Sequence, residues 1–137
     1  MSINFPKPHH GSAAEFQVSG FPFVTGSAFD EVGTSIPVRV TFPYVTQFIQ
    51  VTNIGSGILY VGFTENGVKG TETEHRFQIF KDATSERTTP VIPVKCKELY
   101  FLCGTSGRTT GFQVIAGLTN VREFPVLTGS NGFEGVG

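Results

Sequence analysis

The chain has 137 residues, enough for one domain to bury a hydrophobic core without disulfide or metal staples. Charged residues make up 15% and the net charge is -1, so there is no basic field to hold phosphates and nucleic acid is excluded as a partner. With 14 Phe, 17 Gly and 8 Pro, the composition points to short strands joined by tight turns, and a surface this poor in charge has few means of holding copies apart, which suggests assembly.

Residues 1–15 contain Pro6, Pro8, Gly11 and Ser12 without periodicity and read as an extended N-terminal arm. The N-terminus has no apolar signal core, so the expectation is a chain outside the secretory route. A first strand is expected within 16–29, around Phe21, Phe23 and Val24, followed by a loop over 30–35. Residues 36–42 alternate Ile36, Val38 and Val40 against Pro37, Arg39 and Thr41. They form a strand that Pro37 places at an edge.

The run 41–64 is the most strongly patterned. From Val45 to Thr52 the side chains fall into two rows: Val45, Gln47, Ile49 and Val51, against Thr46, Phe48, Gln50 and Thr52. Asn53 to Gly57 then reads as a turn, because Asn and Gly accept positive φ at low cost. A second strand carries Leu59, Val61 and Phe63 on one side. The two strands predict an antiparallel hairpin at the spine of the core.

Asn66-Gly67 signals a turn in a polar loop. Strands are expected over 76–81, with Phe77 and Ile79 inward, then briefly over 90–94 and over 97–103. After a turn at 104–111, the row Phe112, Val114, Ala116 and Leu118 predicts a strand pairing back on 97–103. Residues 119–137 lose the pattern. No window shows capped helical spacing, and about seven or eight short strands indicate an all-β sandwich or barrel. No apolar run is long enough for a membrane span. The flanks echo each other: Phe21-Pro22-Phe23-Val24-Thr25-Gly26-Ser27 resembles Phe124-Pro125-Val126-Leu127-Thr128-Gly129-Ser130. Two accounts fit, a common strand entry or two flanks that dock alike on neighbouring subunits.

Catalytic constellations are not found. His9 and His10 point apart on an extended arm, and His75 beside Glu72 and Glu74 would need metal ligands from elsewhere. No Gly-x-Ser-x-Gly elbow occurs, and no pair of facing carboxylates can be picked. Cys96 and Cys103 lie seven positions apart in one expected strand region; if that strand is continuous they point to opposite faces and cannot pair with each other, and they read as reduced, buried thiols. Lys95 and Lys97 beside Cys96 could lower its pKa, which is the one argument for a reactive thiol. Tyr44, Tyr60 and Tyr100 sit in strand text, where they make a weak sugar platform. The expectation is no enzyme, no cofactor and no metal.

The ordered phrases Phe42-Pro43-Tyr44-Val45-Thr46, Val51-Thr52-Asn53, the strand through Tyr60 and Phe63, Val94-Lys95-Cys96-Lys97-Glu98-Leu99-Tyr100, Phe112-Gln113-Val114-Ile115-Ala116-Gly117-Leu118-Thr119 and Leu127-Thr128-Gly129-Ser130 span about residues 36–130. Together they resemble the small single jelly-roll capsid proteins of large icosahedral double-stranded DNA viruses, notably those infecting algae. The resemblance implies an antiparallel jelly-roll β-sandwich of about eight strands over 16–120, flanked by the arm 1–15 and a C-terminal extension 121–137. It implies a penton at the five-fold vertex, with itself (as a homopentamer) and other capsid proteins as partners, located in the virion and assembled inside the host cell. The alternatives are a minor capsid protein elsewhere in the shell and a carbohydrate-binding or host-attachment module. The candidate interface residues are Phe5, Phe21, Phe23, Phe124 and Phe133.

Overall fold

The structure, a computed structural model, describes residues 21–70, 74–80, 87–128 and 131–137. The arm 1–15 with Phe5, His9 and His10, and also Glu72, lies outside the described residues. The strands are β1 (Phe21–Gly26), β2 (Val38–Thr41), β3 (Thr46–Asn53), β4 (Leu59–Gly62), β5 (Arg76–Ile79), β6 (Arg87–Thr88), β7 (Glu98–Cys103) and β8 (Phe112–Leu118). A short helix, α1 (Glu65–Lys69), lies between β4 and β5. The strands form two four-stranded antiparallel sheets, a first of order β1-β8-β3-β6 and a second of order β2-β7-β4-β5. The expected all-β sandwich is therefore present.

Period-two burial builds one core between the sheets. The first sheet contributes Ile49, Val51, Phe112, Val114, Ala116 and Leu118; the second contributes Val40, Leu59, Val61, Ile79, Leu99 and Phe101. Each of these Val, Leu, Ile and Phe side chains contributes about 1.5–3 kcal/mol on burial. Phe101 of β7 and Phe112 of β8 stack across the interior, with ring centroids 3.9 Å apart and planes 6° apart.

The structure corrects the expected pairing of neighbouring strands. β3 and β4 form no hairpin: β3 lies between β8 and β6, β4 between β7 and β5. Likewise β8 pairs with β1 and β3, not with β7. Among the described strands, β4 and β5 are the one consecutive pair that is hydrogen-bonded. Alternation reveals which face of a strand is buried; it does not reveal whether the next strand lies beside it or across the core from it.

The loop after β3 needs its glycines for a different reason from the one expected. Gly55 and Gly57 are not among the residues with positive φ. Instead, a Cβ on Gly55 would overlap the Thr110 backbone, and one on Gly57 would stand 2.5 Å from Cys103 Sγ. Close approach lets the chain cross from one sheet to the other over Asn53.

Two further corrections follow. A bulge falls between Thr46 and Phe48 in the β3–β8 ladder, so Gln47 leaves the inward row and Thr46 enters it, fully buried. There Thr46 Oγ1 donates to Val94 O at 2.7 Å and accepts from Cys96 N at 3.0 Å. The Asn66-Gly67 turn is instead α1. Thr64 Oγ1 accepts from Gly67 N at 3.0 Å as N-cap, Gly70 closes the helix at φ 68°, and Lys69 pairs with Glu65 at 3.0 Å. Val68 seats α1 on Gly62, where a Cβ would stand 3.1 Å from it.

Residues 119–121 form no strand yet reach the core. Thr119 N donates to Val45 O at 2.9 Å, Val45 N donates to Val121 O at 2.8 Å, and Val121 is fully buried.

Candidate interaction surfaces

β1 is an edge strand among the described residues. Ser27 N donates to Phe112 O at 2.9 Å, and the register pairs Gly26 with Gln113. In an antiparallel ladder alternate residues bond to the partner, so Phe21, Phe23 and Thr25 face β8. The backbone groups of Val24 and Gly26 then face the open edge, and Pro22 sits where its missing N–H would point outward, which shortens the available edge.

The outer face of the first sheet follows from the same register. Its rows are Pro22, Gly117 and Phe48; Val24, Ile115 and Gln50; and Gly26, Gln113 and Thr52. None of these side chains carries a charge. Val24 is 71% exposed and Ile115 42%. Phe48 lies across Gly117, where any side chain would overlap its ring.

The outer face of the second sheet is largely polar and covered in part by its own chain, while Arg39 and Gln78 stay exposed. Arg76 stacks on Tyr60, its guanidinium carbon 3.8 Å from the ring centroid, and donates to Val68 O at 2.9 Å. Tyr100 donates to Glu98 Oε2 at 3.0 Å, and Arg39 Nη1 stands 3.9 Å from Glu98 Oε1. Burial pushes the Tyr100 phenol above its usual pKa, and the Glu98 carboxylate adds to this.

Segment 122–128 crosses outside this sheet without joining either ladder. At its start, Arg122 lies over Tyr44, 5.0 Å from the centroid, with Nη2 donating to the phenol at 3.0 Å, while Lys97 Nζ donates to Arg122 O at 2.8 Å. Beneath it is a cleft of about 200 Å³ between Thr41, Phe63, Lys97, Glu98 and residues 124–127. A second cleft of about 190 Å³ continues past Tyr100 and Asn66. Beyond it, Thr64 Oγ1 donates to Val136 O.

The candidate interface residues are not gathered into one patch. Phe21 is 57% exposed, with its ring centroid 6.4 Å from that of Tyr44. Phe23 points inward and packs edge-on against Phe42, centroids 5.2 Å apart. Phe124 is half-buried in the cleft wall. Phe133 is half-buried, its N–H donating to Thr128 O at 3.2 Å. Tyr44, which stands in a bend rather than a strand, lies between Phe21 and Arg122. The sequence reading missed the exposed aliphatics Val24, Ile115 and Val126. Ile115 was identifiable as the apolar member of the row opposite Val114 and Ala116.

Cys96 is not the activated thiol that its flanking lysines suggested. Its thiol is buried against Thr46 Oγ1, 3.4 Å away, and burial raises its pKa to about 11. Lys95 is exposed, and the Lys97 ammonium is directed to Arg122 O. Cys103 is also a free, buried thiol. Among the described residues, no three His, Cys, Asp or Glu side chains cluster as metal ligands would, and no helix is long and apolar enough to cross a membrane.

Comparison with protein-family models, with curated proteins and with solved structures gives no match to this chain.

Proposed function

We propose that the chain is a structural virion protein, a capsid penton that assembles through lateral packing of its β-sandwich. The observation that carries this reading is the nesting of strand pairs: β1 with β8, β2 with β7, β3 with β6 and β4 with β5. Rolling one long antiparallel ribbon produces this nesting, which supports the jelly-roll reading. Apart from Leu127-Thr128-Gly129-Ser130, the phrases that carry the resemblance fall on or beside β3, β4, β7 and β8 of that ribbon, and the uncharged outer face of the first sheet suits contact between copies. The same features fit a minor capsid protein elsewhere in a shell.

Light scattering and electron microscopy of the purified chain test the proposal. A ring of five copies is the expected result. A chain that stays monomeric at high concentration and binds glycans overturns it. The cleft with Glu98, Tyr100 and Phe63 in its walls favours that second reading, an attachment module, because it sets a carboxylate and a phenol beside apolar surface.

A further inference from the structure

We propose that copies of this chain join head to tail, the open β1 edge of one copy taking segment 124–128 of the next as an added strand. The inference rests on the assembly reading and specifies its interface. Its starting point is the echo between the flanks. Phe, Pro, Thr, Gly and Ser recur in the same order, with apolar residues at the two remaining positions. The first copy of the phrase is β1, laddered to β8. The described part of the second, 124–128, joins no ladder, and Val126 is 65% exposed. The backbone bonds to Val126 are local, its O accepting from Thr128 N at 3.0 Å and from Asn131 Nδ2 at 3.0 Å. Two stretches of the same β-compatible composition thus differ in having a sheet to join.

The open edge offers what that segment lacks. The N–H and C=O groups of Val24 and Gly26 face away from β8, a template for main-chain pairing. Neither 21–29 nor 124–128 contains a charged residue, so no like charges meet when the two are brought together. The edge and the segment are different patches of one molecule. Their contact is therefore heterologous, and repeating it builds a ring when its rotation closes.

Sedimentation velocity on the full chain tests this with Val24→Pro, which removes an N–H on the side away from β8, and Val126→Asp, which puts a charge in the contact. Melting curves check folding. If Val24→Pro fails to fold, Val24→Lys at the same exposed site replaces it. The wild type should form closed rings, and either variant should raise the concentration needed by about tenfold or more. Mixing the two variants should yield heterodimers and nothing larger, since one intact edge and one intact segment remain. In the wild type, hydrogen exchange at Val24 and Gly26 should slow as rings form. A wild type that stays monomeric overturns the inference, as does a Val126→Asp variant that assembles normally. So does protection at Val24 and Gly26 that does not change with dilution, because the chain's own residues would then cover the edge. Rings that survive both variants overturn this interface while leaving the capsid reading intact. Rings dissolved by both variants, in a protein that mass spectrometry does not find in virions, overturn the capsid reading alone.

Discussion

Thr110 Oγ1 donates a hydrogen bond to Asn53 Oδ1 at 2.6 Å, and neither residue has any solvent exposure. Asn53 has no unused capacity. Its Nδ2 donates to Gly57 O at 2.8 Å and to Ile79 O at 2.9 Å, and its Oδ1 also accepts from Gly55 N at 3.1 Å. One amide thus ties the end of β3 to the crossing loop, to β5 of the other sheet and to the approach to β8. Such a side chain is worth much more than one hydrogen bond, because its removal strands several buried groups together.

Asn53→Ala should therefore destabilise the fold by about 3–5 kcal/mol. Thr110→Val, which keeps the volume and removes one donor, should cost about 1–2 kcal/mol. Urea denaturation of both variants checks the order. Equal losses would mean that the amide has no role beyond its bond to Thr110.

The contrast between Asn53 and its neighbours shows how far the sequence could be read. The inward rows of β4 and β8 were legible, since Leu59, Val61, Val114 and Ala116 obey strict alternation and are buried. The loop 53–57 was legible as a change of direction but not as a change of sheet, because its composition suits either. The bulge at Gln47 was hidden, since the row Val45, Gln47, Ile49 and Val51 looks regular until Thr46 finds its partners in the chain near Cys96. Helix α1 was hidden because Asn66 and Gly67 are poor helix formers; its cap Thr64 and its αL terminator Gly70 define it. On the candidate surfaces, the flank echo singled out Phe21 and Phe124, while Phe23 turned inward with the parity of β1.

Thr46 itself gives a second test. Its hydroxyl donates to Val94 O and accepts from Cys96 N, joining the bulge to the segment that leads into β7. Thr46→Val fills the same space but leaves both backbone groups without that partner. A loss of about 1–3 kcal/mol is expected, with Thr46→Ser recovering most of it. Thermal melts of the pair check this, and a stable Thr46→Val would show that other groups or water satisfy Val94 and Cys96.

Cys96 makes stability depend on alkaline pH. Its folded pKa is raised from 9.0 to about 11, chiefly by burial, which disfavours the thiolate. The unfolded thiol ionises first, so the stabilisation from keeping it neutral is complete below pH 9 and is lost as pH rises from there through about 11. The contribution is about 2–3 kcal/mol. Cys96→Ala should flatten the fall in stability over that window, while native protein at pH 8 should resist thiol alkylation until denaturant is added. Rapid alkylation of the native Cys96 thiol would contradict its placement.

Gly67 provides the test of how the C-terminal residues are seated. It lies within α1, where replacing an exposed Gly with Ala normally stabilises by about 1 kcal/mol, and its φ is not positive. Here a methyl would overlap Val136 O and stand 2.9 Å from His75 O. Thr64 Oγ1, which accepts from Gly67 N, also donates to Val136 O, so the helix cap and the tail share one hydroxyl. Gly67→Ala should reverse the usual sign and cost about 1–3 kcal/mol. In a chain lacking residues 131–137 the overlap with Val136 is gone while that with His75 stays, so the penalty should shrink without vanishing. A double-mutant cycle read by urea denaturation measures the difference. Equal penalties in the two backgrounds would show that Val136 does not rest on Gly67 in solution.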